Sequence, residues 1–397
     1  MSEARIPFWY TKLGAAESEA VARCIRDGRL SQGPVTEEFE QELASFLGVP
    51  HVVATTSGSA ALYLAAAGLG IRAGDEVIVP DRTFMATAHA MMLAGANVRL
   101  VDAEPNRTVI DASLIEAAIT SRTKAIVPVH LNGNAADIRT IRRIAAAHGL
   151  FVIEDAAQAF GSRSVDGYLG TRTDAGCFSL GVTKLITTGQ GGFVATHDLA
   201  LAQRMRAFRS HGVHDTYDSS YEHFGFNLKF TDIAASIGLI QLGKVAAKID
   251  AHRSVYDFYR KALNGLDFVR VSPVDSNPGC VPLWTEAFVA DRKRVILMLD
   301  KGGIQVRPFL PSLHVSSYLG SFDDNEFPHS NAFGRQGIFL PSGPDMPDEW
   351  LERVAAAFQE IAPLIGKDVL DPAGFARATI SRGSPPAREH QEARSQC

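Results

Sequence analysis

Short apolar runs alternate with helical patterns through the first two-thirds of the chain. HVVAT precedes SAALYLAAAGLG, DEVIVP precedes ATAHAMMLAGA, and KAIVPVH precedes ADIRTIRRIAAAHG. The runs are rich in valine and isoleucine and lack in–out alternation, which is typical of strands buried on both faces. The helical patterns between them suit crossovers that connect parallel strands. The sequence therefore predicts an α/β fold with a mostly parallel central sheet and helices on both faces.

The pattern changes near residue 250. The stretch AAKIDAHRSVYDFYRKALNGL predicts a long amphipathic connecting helix, and short strands with proline-rich turns follow it. We therefore predict a large domain over residues 1–250 and a smaller C-terminal α+β domain over residues 251–366. Residues 367–397 are polar and lack periodicity, which predicts a disordered tail.

Composition argues against several classes of protein. The net charge of −5 and the lack of a dense basic run argue against a nucleic-acid partner. The four scattered cysteines, Cys24, Cys177, Cys280 and Cys397, favour neither disulfides nor zinc, and they fit a cytoplasmic location. Residues 52–71 carry no charge and have about the length of a membrane span. Because the polar TTSGS interrupts this segment, we interpret it as a strand, a loop and a buried helix.

A candidate anion site lies in VATTSGSAAL. This stretch places Ser57, Gly58 and Ser59 between a strand and the first turn of a helix. Free backbone N–H groups and the helix dipole favour an anion there, and a glycine allows close approach. The alternative is an ordinary helix start with Ser59 as the cap.

Two acidic residues end the predicted strand FVIEDAA. Burying Glu154 or Asp155 is costly unless a cation lies nearby. A helix cap or a core ion pair would satisfy such a carboxylate, and so would the protonated ring nitrogen of a cofactor. Gln158, three residues after Asp155, could share the same site.

Lys184 lies between an apolar run and a glycine cluster in FSLGVTKLITTGQGG, and Asp174 is the only acid within ten residues of it. A lysine in a low-dielectric pocket loses its proton easily and becomes a nucleophile for carbonyls. A lysine that reaches from a strand end to solvent is the alternative. An anion cradle, a strand-end aspartate and such a lysine together match the phosphate, pyridinium and aldehyde of pyridoxal phosphate.

The chain resembles the DegT/DnrJ/EryC1/StrS sugar aminotransferases, which are fold-type-I pyridoxal-phosphate enzymes. The resemblance covers about residues 28–360. It rests on RLSQGPVTEEFEQELASFLGV, TSGSAAL, DEVIVPDRTFMATAHA, VHLNGNAADI, VIEDAAQAFGS, CFSLGVTK, GQGGF, FGFNLKFTDIAASIGLIQL and GIQVRPFLPSLH. Gln190 departs from the family pattern, where an acid is common.

The resemblance implies a role for each matching residue. Lys184 would form the Schiff base and move the proton, Asp155 would pair with the pyridine nitrogen, and Gln158 would lie near the ring hydroxyl. The remaining implied contacts are Phe84 stacked on the ring; Gly58, Ser59 and Ser179 at the phosphate; Asn227 at the phosphate of the neighbouring subunit's cofactor; and Arg307 and His314 at the substrate. The role of Asn227 implies a homodimer with sites at the interface.

The function implied is transfer of an amino group from an amino acid, with glutamate expected, to a nucleotide-linked keto sugar. Amination of a keto-cyclitol, as in aminoglycoside biosynthesis, and a non-catalytic regulatory protein that binds pyridoxal phosphate are the alternatives. Some relatives carry histidine in place of the lysine and catalyse dehydration, so the presence of Lys184 favours transamination. A metal site at HGVH (His211–His214) lacks further ligands, and the loop HDTYDSSYEH is expected to cover the site.

Overall fold

The computed structural model describes residues 5–213, 224–275 and 279–365. The predicted tail at residues 367–397 lies outside this range, and so does the whole loop predicted to cover the site, residues 214–223, which begins with His214. The described residues form these α-helices: α1 (Ala15–Arg26), α2 (Pro34–Leu47), α3 (Gly58–Gly68), α4 (Ala86–Leu93), α5 (Ala112–Ala118), α6 (Ile138–His148), α7 (Leu199–Arg209), α8 (Asp232–Gly243), α9 (Val245–Ala262), α10 (Arg292–Lys301), α11 (Pro328–Gln336) and α12 (Asp348–Ile365).

The strands form a seven-stranded sheet, a four-stranded sheet and a small hairpin. They are β1 (His51–Thr55), β2 (Glu76–Pro80), β3 (Asn97–Val101), β4 (Thr123–Ile126), β5 (Phe151–Asp155), β6 (Arg163–Ser164), β7 (Gly167–Tyr168), β8 (Ala175–Ser179), β9 (Gly192–Thr196), β10 (Val269–Val271), β11 (Thr285–Val289), β12 (Arg307–Pro308) and β13 (Gly337–Leu340). The strand and helix predicted within residues 52–71 are therefore β1 and α3. No helix among the described residues has the length and apolar character of a membrane span.

The large sheet has the order β1-β9-β8-β5-β4-β2-β3. Its pairs are parallel except where β9 meets β1 and β8, so β9 alone runs against the other six strands. The predicted mostly parallel sheet is confirmed. Because six strands share one direction, the carboxyl ends of β1, β2, β5 and β8 lie along one edge of the sheet, where ligands of such sheets bind.

Helices cover both faces of this sheet. Val77 and Val79 of β2 pack in a cluster with apolar residues of α3, α4 and α7. Ile78, between them, points the other way and packs with residues of α5 and α6. Successive strand residues alternate between faces, so a strand without polar alternation is stable only when both faces are covered.

The second sheet, β10-β11-β13-β12, is antiparallel and lies in a separate core with α9, α10 and α12. The N-terminal segment joins this core: Ile6 is fully buried in it and pairs with Ile304, while Trp9 pairs with Ser342. The predicted domain boundary at residue 250 falls inside α9. The division into domains at that residue stays a prediction.

Candidate active site

A cavity of about 400 Å³ lies at the carboxyl edge of the large sheet, between it and the second sheet. Lys184 lies in its wall. The predicted site residues that line the cavity are Gly58, Ser59, Phe84, Asp155, Gln158, Ser179, Lys184 and Arg307. The fold therefore brings together eight residues from five separate stretches of the sequence.

The turn between β1 and α3 forms one end of the cavity. Ser57 is the cap of α3, since its hydroxyl accepts from the N–H of Ala60 at 3.1 Å. The first N–H groups of the helix, at Gly58 and Ser59, have no acceptor within the helix. A Cβ on Gly58 would lie 2.8 Å from the Cβ of Ser179. Because Gly58 has no side chain, the first turn of α3 can lie close to Ser179. The first turn and Ser179 together form a cradle suited to a phosphate.

Asp155 ends β5 and is buried, with 5% of its surface exposed. Its carboxylate accepts from the Thr87 hydroxyl at 2.8 Å and from the N–H of Ala157 at 3.1 Å. Within the described part of the chain, no basic side chain forms an ion pair with it at 4.0 Å or less. Burial raises the pKa of Asp155, and the hydrogen bond from Thr87 and the charge of Lys184 oppose that shift. A buried carboxylate of this kind fits a protonated ring nitrogen in the cavity.

Glu154, the neighbouring acid, has a different role. Its carboxylate meets Nε2 of His130 at 2.8 Å, and both side chains are fully buried. The N–H groups of Gly170 and Arg172 donate to it at 3.0 and 2.8 Å. Burial raises the pKa of Glu154, but the hydrogen bond and charge of His130 more than offset this and leave the pKa below its usual range. Glu154 therefore takes a partner within the core, His130, and does not face the cavity.

Lys184 follows β8 in a turn in which its N–H donates to the carbonyl of Gly181 at 3.0 Å. Its Nζ lies 5.3 Å from the ring centroid of Trp284, and no carboxylate lies within 4.0 Å of it in the described ranges. Burial lowers the pKa of Lys184 to about 8, and the charge of Asp155 opposes that effect. A half-buried lysine without a paired anion, in a ligand-sized cavity, fits covalent attachment to an aldehyde.

Gln158 and Phe84 border the space between these groups. The side-chain oxygen of Gln158 accepts from the N–H of Asn132 at 2.9 Å, which leaves its amide N–H₂ as a donor. Phe84 keeps 45% of its surface exposed and lines the cavity. A large exposed aromatic ring at the cavity wall is suited to stacking on a planar ligand.

The structure places two predicted residues away from the cavity. His314 is buried, with its Nδ1 2.8 Å from a carboxylate oxygen of Asp81 and its ring stacked on Phe327. His314 thereby supports the loop after β2 and does not line the cavity of its own chain, so its role at the substrate stays a prediction. Asn227 is exposed beside Ser210 and does not line the cavity of its own chain. Its predicted contact with a neighbouring subunit stays a prediction.

Several cavity residues were not predicted from the sequence. Arg82, Phe8 and Trp284 line it, as does Gln190, the residue that departs from the family pattern. Arg82 lies two residues after the end of β2, so the strand-end reasoning applied to Asp155 could have found it. Phe8 and Trp284 carry no such signal, since each reaches the cavity from a distant part of the chain.

No group of three potential metal ligands is present among residues 5–213, 224–275 and 279–365. Of the histidine pair considered as a metal site, only His211 is described. Its backbone has a positive φ of 60° and so is not helical. The helical spacing assumed for that pair is therefore wrong at His211.

Comparison with known proteins gives the family. Residues 11–359 match the model of the DegT/DnrJ/EryC1/StrS aminotransferase family. A GDP-perosamine synthase of Caulobacter vibrioides is 35% identical over 364 residues, which cover 90% of this chain and 98% of that protein. The dTDP-3-amino-3,4,6-trideoxy-alpha-D-glucose transaminase of Streptomyces venezuelae is 36% identical over 375 residues, covering 89% and 98%.

Solved structures agree in fold. The crystal structure of DesV from S. venezuelae has a TM-score of 0.86 and 33% identity, covering 90% of this chain and 99% of that one. The pyridoxal-phosphate form of the sugar aminotransferase Spr1654 from Streptococcus pneumoniae has a TM-score of 0.85 and 26% identity, covering 91% and 99%. The family and fold predicted from the sequence are confirmed. The chain belongs to the DegT/DnrJ/EryC1/StrS family and is a pyridoxal-phosphate-dependent sugar aminotransferase.

Proposed function

We propose that this enzyme transfers an amino group from glutamate to the keto group of a nucleotide-linked sugar. The observation that carries the proposal is the position of Lys184, unpaired and with a lowered pKa, in one cavity with Asp155 and the start of α3. Two relatives of about the same length are named for products linked to GDP and dTDP. Those names support a nucleotide-linked acceptor here.

The residues present fit the cofactor. The N–H groups of Gly58 and Ser59, with Ser179, would hold its phosphate, and Asp155 would pair with its ring nitrogen. Gln158 would donate to its hydroxyl, and Phe84 would cover one face of its ring. When bound, pyridoxal phosphate supplies the electron sink that stabilises a carbanion at the carbon losing its proton.

Lys184 is the proposed acid and base. Its pKa of about 8 leaves a useful fraction of free amine at neutral pH, and the remaining ammonium can return a proton. The free amine would accept the proton from the donor's α-carbon, and the ammonium would return it to the cofactor's aldehyde carbon in the same half-reaction. In the half-reaction with the acceptor, Lys184 would move a proton in the reverse direction, to the carbon that is aminated. Asp155 stays ionised opposite a positive ring nitrogen, because a buried carboxylate is stabilised by a charge it can pair with.

We further propose a homodimer in the cytoplasm, with Asn227 of each subunit reaching the other subunit's phosphate. The exposure of Asn227 leaves it available for such a contact. Cys24, Cys177 and Cys280 are buried free thiols, which supports a reducing compartment.

The test is the absorbance spectrum of the purified holoenzyme before and after addition of glutamate. We expect glutamate to convert the visible band into that of the aminated cofactor, and Lys184→Ala to be unable to complete this conversion. Lys293→Ala, at an exposed position on α10, should behave as the wild type. Supplying nucleotide-linked keto sugars, free keto sugars and keto-cyclitols to the aminated enzyme then identifies the acceptor. A bound cofactor that no amino acid changes would contradict the proposal and favour a regulatory role.

A further inference from the structure

Arg82 is a buried cation in the wall of the cavity. It follows β2, keeps only 3% of its surface exposed and lines the same cavity as Lys184. Its guanidinium lies over the ring of Phe309, 4.6 Å from the centroid, and Nη1 donates to the carbonyl of Leu310. These contacts hold the guanidinium in place but bring no negative charge to it.

The charge of Arg82 is only partly balanced by the protein. In the described part of the chain no carboxylate lies within 4.0 Å of it, and its Nε is buried without a hydrogen-bond acceptor. Glu286 and Asp81 act on it from farther away. One oxygen of the buried Glu286 also lacks a hydrogen-bond partner, and burial raises its pKa to about 7 against the opposing charge of Arg82. Glu286 is therefore an incomplete counter-ion at neutral pH.

Such an arrangement favours a ligand that brings its own anion. Burying a guanidinium without a full counter-ion costs free energy, and an anionic ligand recovers that cost on binding. A guanidinium presents a planar fork of N–H donors that matches a carboxylate. Arg307, in contrast, is exposed and stacks on Phe8, so it is accessible to the larger, solvated part of a ligand.

We propose that Arg82 binds the carboxylate of the ligand that reacts in this cavity. The inference rests on the proposed function, because an amino-acid donor brings a carboxylate next to the amine that reacts. A keto sugar that carries a carboxylate is the other source of the same chemistry. Arg82 thereby selects ligands by charge from a buried position in the cavity wall, whereas Arg307 is exposed.

The experiment compares Arg82→Gln, Arg82→Lys and the control Arg292→Gln. Arg292 is also partly buried and donates to a backbone carbonyl, that of Gly334, but it does not line the cavity. We expect Arg82→Gln to lower kcat/KM of the half-reaction with glutamate by about 10- to 100-fold, because a charged hydrogen-bond partner is lost. Arg82→Lys keeps the charge beside Glu286, so it protects the fold, and we expect a smaller loss. Arg292→Gln should react as the wild type does.

A binding measurement complements the rates. 2-Methylglutamate lacks the hydrogen that Lys184 would remove, so calorimetric titration of the holoenzyme with it reports affinity without turnover. We expect its Kd to rise by a similar factor in Arg82→Gln and to stay constant in Arg292→Gln. A second series presents the aminated enzyme with nucleotide-linked keto sugars that carry either a carboxylate or a neutral group at the same carbon.

The outcomes distinguish the amino-acid donor from the keto sugar as the source of the carboxylate. They also distinguish failure of the Arg82 assignment from failure of the proposed function. A defect confined to glutamate assigns Arg82 to the donor, and one confined to the carboxylated sugar assigns it to the acceptor. Unchanged rates and an unchanged Kd for Arg82→Gln in both series overturn the assignment, while turnover by the wild type still upholds the proposed function. A wild-type enzyme that reacts with no amino acid removes both proposals.

Discussion

Replacing Gly58 by alanine tests the geometry of the phosphate cradle. The added Cβ would lie 2.8 Å from the Cβ and 3.2 Å from the Oγ of Ser179. Carbon atoms in contact prefer about 3.5–4.0 Å, so the overlap is on the order of 1 Å. Ser179 ends β8 and is paired with Gly192 of β9, so its backbone cannot withdraw freely. Overpacking of this kind costs about 1–3 kcal/mol, and we expect the free energy of unfolding of the apoenzyme to fall by that amount.

Cofactor affinity should fall as well, because α3 or Ser179 must move to relieve the overlap. Denaturation of the apoenzyme and titration with pyridoxal phosphate measure the two effects. Gly243→Ala is the matched control, since no atom lies within 4 Å of the added Cβ there. Adding Ser179→Gly removes the atoms that clash, so the double variant should be more stable than the sum of the single effects predicts. A Gly58→Ala variant with wild-type stability and cofactor affinity would refute this account of the cradle.

Three further predictions concern the buried charges. Asp155→Asn should reduce kcat on the order of 100-fold or more, because a fixed charge opposite the reacting system is lost; single-turnover kinetics with unchanged protein stability would show it. For Lys184 the folded pKa of about 8 lies below the ordinary value of 10.5, so the folded apoenzyme binds fewer protons than the unfolded chain between these values. The stability of the wild type relative to Lys184→Met should therefore rise as pH increases from about 8 towards 10, and a constant difference in denaturation midpoints would contradict it. Glu154→Gln should lower the free energy of unfolding by about 3–5 kcal/mol, because the buried negative charge is lost and the new N–H₂ group meets the N–H donors of Gly170 and Arg172. Glu116→Gln, at the exposed pair with His148, should change it by less than about 1 kcal/mol.

Strand ends were the part of the site that the sequence could locate. Asp155 and Ser179 each close an apolar run, and parallel strands bring such ends to one edge. The reversed direction of β9 could not be predicted in the same way. All five of its residues are buried, so its apolar pattern is that of a parallel central strand. A strand at the edge of the sheet, in contrast, can be recognised from its sequence. In the edge strand β3, the polar residues Asn97 and Arg99 are exposed and alternate with apolar residues.

Side-chain orientation was harder to predict than position in the chain. His314 lies in a motif assigned to the substrate, yet the buried carboxylate of Asp81 offers it a stronger partner than an open cavity does. Glu154 and Asp155 are adjacent and chemically alike. Their side chains alternate across β5, so one meets His130 and the other the cavity. Sequence identifies the pair, but only the packed sheet decides which member is available to a ligand.

Because the N-terminal segment packs against the C-terminal part of the chain, the walls of the cavity form one after another while the protein is synthesised. Phe8 lines the cavity, and its N–H donates to the side chain of Gln305 at 3.0 Å, a contact between residues 297 positions apart. Arg307 and Phe339 complete the same wall. A nascent chain can therefore form the large sheet, with Asp155 and Lys184 in place, well before the wall that covers them exists. The cofactor site stays open on that side until the ribosome has added almost the whole second sheet, and its final closure is a late, long-range step of folding.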